Sequence, residues 1–256
     1  MMLSQLHDNL VVLFYDYLSE KPFLSFIGST NLSETATELL EYSKRNFQVD
    51  FLKLIPESVA LDLPDNKFRI VPDEDSHDYI LSVSFLKDLC RQPASKITHA
   101  GKGCKRFLKF YPHYHVKRFS DKEISINEHI ALFKSWADNK NHNHGELNEF
   151  KAFERLLLNN ENGNIIVSFY DGNLLIGFVT VEILSNDYAM AHFGKANTSY
   201  KGIYDALLCE VGKMLDEKGI KYLNFEQDLG IPTLRLSKSK YKPVFFLKKF
   251  IITKTT

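Results

Sequence analysis

Lys195–Leu215, reading KANTSYKGIYDALLCEVGKML, is the stretch that decides the fold. Ile203, Leu207, Val211, Met214 and Leu215 recur at helical spacing, with Gly202 at the start and Gly219 just past the end, which predicts a helix from Gly202 to Glu217. Upstream, the apolar runs Ile165–Tyr170 and Leu174–Leu184 flank Asp171-Gly172-Asn173, a strong hairpin signal, and Tyr188–Lys195 continues the meander. Two helical segments precede them, Ile126–Ala137 and Leu147–Leu158, separated by the polar loop Asn139–Gly145. Downstream lie a buried strand at Tyr222–Phe225, a helix at Ile231–Lys240 and a last strand at Pro243–Ile252. Helices covering a mostly antiparallel sheet make an α+β layout.

Working outward, the first half opens with an apolar hairpin, Leu10–Tyr17 and Pro22–Gly28. A helix capped by Asn31 or Ser33 runs to about Arg45, and a strand near Val49–Ile55 follows. Phe68–Val71 and Asp78–Ser82 read as extended, Phe85–Leu89 as a short helix, and Lys102–Phe110 as a basic amphipathic helix. Tyr111–Phe119 alternates, with Tyr114 and Val116 on one side and His113, His115 and Lys117 on the other.

The chain has 256 residues, 44% hydrophobic and 25% charged, which suits two small cores and excludes a disordered or collagen-like protein. Its apolar runs are far shorter than a membrane span and its start lacks the layout of a signal peptide, so a cytoplasmic, non-membrane-spanning protein is expected. The formal net charge of zero argues against a wholesale nucleic-acid binder, and no DNA partner is expected. The distribution is uneven. Residues 1–88 carry net −8, 89–120 net +8 without one acidic side chain, 121–228 net −7 and 229–256 net +7, again acid-free. An acidic stretch with a basic end, occurring twice, is what a duplicated domain leaves behind, and places domains at 1–121 and 122–256. Cys90, Cys104 and Cys209 have no CxxC spacing, so they read as reduced and structural, and neither a disulfide framework nor a metal site is expected. His142, His144 and Glu146 are of metal-ligand type, but without a second ligand pair they read as a solvated linker.

The segment from Lys195, together with LNFEQDLGIPTLRLSKSKYKPVFFLKKF from Leu223, FRIVPDEDSHDYILS from Phe68 and RFLKFYPHY from Arg106, resembles the DUF2156 family. That family is named for the C-terminal domain of phosphatidylglycerol lysyltransferase. The resemblance spans nearly the whole chain and implies two tandem domains of the acyl-CoA N-acyltransferase (GNAT-like) fold. It implies an acyl- or aminoacyl-transferase that takes its acyl group from acyl-CoA or aminoacyl-tRNA, without a metal. The acceptor would be an amine or hydroxyl on a small molecule or lipid. The alternative is a non-catalytic ligand-binding module on a degenerate fold of this kind. Two departures stand out: KITHAGKGCK at Lys96–Lys105 replaces a more uniformly basic run, and Gln227 stands where a second acidic residue is common.

In such a fold the helix after the central strands turns its free amides toward a donor phosphate. Gly202, with Tyr200, Lys201 and Tyr204, is the candidate donor-binding set, and Tyr204 would crowd a pyrophosphate there. Glu226 and Asp228 just past a strand, which alternation would put on one face, are candidate acids and bases, one orienting an amine and the other taking its proton, with Tyr241 as a proton donor. A plainer reading has Asp228 capping the Ile231–Lys240 helix and Glu226 paired with Arg235 or Lys238. His192, Lys195, Asn197, Arg235 and Lys238 are the candidate substrate-binding residues. The basic and aromatic C-terminal block suits a tRNA acceptor stem, or equally a solvated face over core phenylalanines.

Overall fold

NLVVLFY and PFLSFI pair as the sequence predicts: strand β2 (Asn9–Tyr15) runs antiparallel to β3 (Pro22–Ile27), with Leu10 opposite Ile27 and Tyr15 opposite Pro22. The computed structural model describes residues 1–16, 19–120, 124–139, 144–158 and 163–255, giving only the backbone of 144–148. A strand that the sequence did not reveal, β1 (Met2–Leu6), lines the outer edge of β2. Helix α1 (Leu32–Phe47) then carries the chain to β4 (Phe51–Pro56), parallel to β3. Neither Asn31 nor Ser33 caps α1 through its side chain, because Asn31 enters the helix with left-handed backbone, φ 47°. The short α2 (Glu57–Ala60) leads to β5 (Phe68–Pro72).

The chain then passes through β6 (Asp78–Ser82), α3 (Val83–Lys87), α4 (His99–Phe110) and β7 (Tyr114–Phe119). Thr98 caps α4, its hydroxyl accepting from the Gly101 amide at 3.1 Å. Next come α5 (Ile126–Asp138), α6 (His144–Leu158), β8 (Ile165–Asp171), β9 (Leu174–Ile183), β10 (Tyr188–Ala196), α7 (Ile203–Glu217), β11 (Tyr222–Asn224) and α8 (Pro232–Ser239). The stretch expected as one final strand is two: β12 (Phe245–Leu247) and β13 (Lys249–Lys254) part at Lys248 and enter different sheets.

One sheet has the order β1-β2-β3-β4-β13-β5 and the other β12-β6-β11-β10-β9-β8-β7. The first is antiparallel apart from the helix-bridged parallel pair β3-α1-β4, and from β6 to β7 the second is antiparallel apart from the helix-bridged parallel pair β10-α7-β11. This is an α+β layout with two sheets flanked by helices. It is not the expected pair of tandem domains, since the sheets are not built from consecutive halves of the chain. Residues 1–78, 227–234 and 246–256 form one compact unit, and 79–226 with 235–245 form the other. The crossing after Asp78 follows from β6 pairing with β11, and the return from β13 lying between β4 and β5. The boundary expected at residue 121 lies outside the described residues, and both described flanks of it belong to the second unit.

In the first unit α1 packs Ala36, Leu39 and Leu40 on Phe26, Leu52, Ile55 and Phe68. The second sheet is covered on both faces. Leu207, Val211 and Met214 of α7 with Phe107 of α4 cluster with Val167, Phe169 and Val179 on one side; Phe133 and Phe153 of α5 and α6 meet Ile166 and Phe178 on the other. Burial on both faces explains why β8 and β9 read as continuous apolar runs. Contrary to the expectation of three reduced thiols, Cys90 and Cys104 form a disulfide, their Cα atoms 5.3 Å apart and so within bridging range. The turn between them folds α4 back onto the preceding 3-10 turn Leu89–Arg91, a proximity that cysteine spacing alone does not reveal. Among the described residues no helix is long and apolar enough to cross a membrane.

Candidate active site

Strand β10 is the hub of the second unit's polar site. It pairs with β11 only over Tyr188–Met190 and Tyr222–Asn224, then runs on to Ala196 without that neighbour, so the two central strands part beyond Met190. On its other side, β10 slips register against β9 between Ala191 and Gly194. A bulge of this kind bends the strand and re-aims the side chains it carries. The Phe193 amide, freed from the ladder, donates to the buried Thr180 hydroxyl at 3.0 Å.

The bulge presents His192 between two carboxylates. Its Nε2 lies 2.8 Å from Glu182 Oε2, and its Nδ1 lies 3.5 Å from Glu226 Oε1. The side chains of His192, Glu182 and Glu226 are 22%, 33% and 42% exposed, so all three reach solvent. Hydrogen bonding to Glu226 raises the imidazole above its ordinary pKa; burial opposes this and Glu182 adds to it. Glu226 stands outside β11 in left-handed backbone, φ 56°, its amide held at 2.7 Å by the Asn224 side-chain oxygen.

That turn corrects the expectation that alternation would put Glu226 and Asp228 on one strand face, because β11 has ended at Asn224. Asp228 is buried, 1% exposed, and its Oδ1 accepts from the Gly230 amide at 2.9 Å, a contact in the turn ahead of α8, where the plainer reading expected a cap of that helix. Lys238 is buried too, its ammonium donating to the Phe225 carbonyl and lying 4.8 Å from that ring's centre. Arg235 is half-buried on α8.

A second cluster surrounds Lys195, whose side chain is 7% exposed. Its ammonium pairs with Glu149 Oε1 at 2.6 Å and sits 3.6 Å from the Trp136 ring centre. Tyr204 joins this group. Burial raises its phenol pKa, and the neighbouring Ala196 main chain and Trp136 indole oppose this. It packs beside the aromatic cluster and also lines the depression at the start of α7, where the sequence expects it to crowd a pyrophosphate. Asn197 is exposed and turns its side-chain oxygen to the Ser199 amide at 3.0 Å.

The start of α7 brings the expected donor-binding residues together: Tyr200, Lys201, Gly202 and Tyr204 line one depression with Thr198, Ile203, Asp205 and Lys240. Gly202 adopts φ 87°, and a Cβ there would collide with the Gly103 carbonyl of α4, so close helix packing accounts for this glycine. The amide end of α7 already faces a carboxylate. Asp205 in its first turn is buried and accepts from Tyr241 Oη and Lys240 Nζ, each at 2.7 Å. Tyr241 itself is 1% exposed, and burial and then Asp205 push its hydroxyl well above the ordinary range, which does not suit the proton donor expected from sequence. Tyr200 Oη bonds Asp171 at 3.0 Å, and the exposed Lys201 reaches the Thr198 carbonyl at 3.4 Å.

Sequence reasoning missed Glu182, Glu149, Trp136 and Asp205. Two signals were there: Trp136 is the one tryptophan of the chain, and Glu182 is the lone charge in LLIGFVTVEI. His142 and His144 with Glu146 lie where side chains are not described.

Solved structures share this fold. A conserved protein of unknown function from Bacteroides thetaiotaomicron VPI-5482 is 24% identical, with a TM-score of 0.79 over 99% of this chain and 85% of that one. The DUF2156 C-terminal domain of an Agrobacterium fabrum protein is 9% identical, TM-score 0.66, over 97% and 81% of the two chains. L-PGS from Bacillus licheniformis is 14% identical, TM-score 0.60, over 96% and 80%. No curated protein matches the sequence. The family model for phosphatidylglycerol lysyltransferase, C-terminal, matches residues 22–253, taking in the bulged strand, the parted strands and the carboxylate–imidazole cluster alike, and the chain belongs to that aminoacyl-transferase family.

Proposed function

We propose that the second unit transfers an aminoacyl group from aminoacyl-tRNA to an amine or hydroxyl acceptor, at the point where β10 and β11 part. The observation that carries this reading is His192 held between Glu182 and Glu226. Acyl transfer needs a group that receives the nucleophile's proton as the new bond forms. Glu226, the most exposed of the three, takes that role, with His192 orienting it and sharing the charge that develops. Glu182 fixes the far side of the ring, so the imidazole cannot swing away.

Two features favour an aminoacyl ester over a CoA thioester as donor. Asp205 already sets a negative charge against the amide end of α7, where a pyrophosphate would otherwise dock. On α4, Lys102, Arg106 and Lys109 are exposed at spacings of four and three, a basic face suited to phosphates of a nucleic-acid chain. The family's name further suggests a lysyl donor and a phosphatidylglycerol acceptor.

The test is transfer of labelled lysine from lysyl-tRNA to phosphatidylglycerol vesicles, run beside acetyl-CoA and the other aminoacyl-tRNAs. Label appearing in the acceptor, and lost in Glu226→Gln, supports the reading. Transfer from acetyl-CoA alone would overturn the donor assignment. Binding of aminoacyl-tRNA with no transfer to any acceptor would favour the non-catalytic alternative.

A further inference from the structure

Three sulfurs meet in the second unit, away from the residues assigned to transfer. Cys90 sits in the 3-10 turn Leu89–Arg91, Cys104 in α4 and Cys209 in α7, and the three Sγ atoms lie within 4.8 Å of one another. Cys104 and Cys209 are buried, and Cys90 is half-buried on the solvent side of the group. Cys209 is the free thiol, and its Sγ donates to the Lys87 carbonyl at 3.4 Å. The supporting elements are tightly set. Gly103 leaves no room for a Cβ beside Asp205 of α7, and Gly212 none beside the Lys87 amide and Leu86, so α4, α7 and the end of α3 are in backbone-close contact around the sulfurs.

We propose that, when the Cys90–Cys104 bond is reduced, the three cysteines form a site for one thiophilic d¹⁰ metal ion, and that the disulfide and the metal are mutually exclusive occupants of the same place. Soft thiolates select ions such as Zn²⁺, Cu⁺ or Cd²⁺. With metal–sulfur bonds of about 2.3 Å, three thiolates around one ion stand roughly 3.8–4.0 Å apart, a spacing that the three sulfurs reach by small rotamer changes once the bridge opens. The chemistry balances as two steps. A dithiol reductant gives two electrons and two protons to the Cys90–Cys104 bond and is itself oxidised to a disulfide. The three thiols then lose three protons to water as three metal–sulfur bonds form.

The probe is Cd²⁺, titrated anaerobically into the whole protein after reduction and removal of reductant, followed by sulfur-to-cadmium charge-transfer absorption and by native mass. One Cd²⁺ per reduced chain is expected, with none bound after oxidation by diamide. Cys209→Ser leaves the disulfide partners in place and should weaken Cd²⁺ binding by ~100-fold or more, beyond the usual cost of losing an outer hydrogen bond. Because Cys209 is buried, Cys90→Ser at the half-buried position provides a second variant with the same expected loss. A reduced protein without the absorption band overturns the proposal. So does a band that survives either substitution, or equal binding by the oxidised protein.

Discussion

Glu226 and His192 separate chemistry from structure at the level of single side chains. Glu226 is substantially exposed, so Glu226→Gln keeps the shape and removes the proton acceptor; transfer should fall by ~100-fold, with the melting temperature nearly unchanged at a pH where His192 is neutral. His192 has a raised folded pKa, so its ion pairs stabilise the protein fully below the imidazole's ordinary value near 6.5. That stability drains away as pH rises through the raised folded value. Denaturant midpoints measured across this window should decline in the wild type and decline less in His192→Gln; parallel curves would remove the carboxylate–imidazole pairing from the account. Tyr241 answers differently. Its buried hydroxyl bonds the Asp205 carboxylate at 2.7 Å, and Tyr241→Phe should cost about 1.5–3 kcal/mol in urea unfolding while leaving the pH profile of transfer unchanged. His192 and Glu226 were both legible in the sequence, but their meeting was not. It depends on a bulge and a left-handed residue, and neither breaks the apolar pattern on which strand prediction rests.

Among the elements, α7 was the most legible because its apolar stripe and its flanking glycines are local signals. The role of Gly202 was not, because its neighbour, Gly103, lies far away in sequence on α4. Gly202→Ala is expected to destabilise the protein by about 1–3 kcal/mol, since it adds a left-handed alanine and drives its Cβ at the Gly103 carbonyl. Thermal unfolding checks this, and a change under about 0.5 kcal/mol would mean that the α4–α7 contact yields easily. The hairpin of β2 and β3 and the span of β6 were readable for the same local reason as α7. The edge strand β1 was lost because MLSQL carries little apolar pattern, its residues being mostly exposed.

For the whole molecule, the informative error lies at Lys248. PVFFLKKFII reads as one apolar strand, yet it divides into β12 and β13, which serve different sheets. No local property of the segment announces the division; it is set by what lies beside it, β6 for one piece and β4 with β5 for the other. Charge alternation suggested two domains in succession, but pairing partners decide which residues share a core. Ile252→Pro, in the interior of β13, removes a ladder donor from a strand flanked on both sides and should cost about 3 kcal/mol or more. Hydrogen exchange resolved by peptide should show β4 and β5 losing protection first in that variant.

The interior position of β13 also sets a timetable for synthesis. A ribosome completing the stretch from Pro72 to Lys249 at ordinary speed takes roughly 10–35 s, and throughout it β4 and β5 have emerged without the strand that belongs between them. The nascent chain therefore carries two unpaired strand edges for far longer than a hairpin needs to form. It is during this interval that a chaperone able to cover exposed β-edges would have most to do.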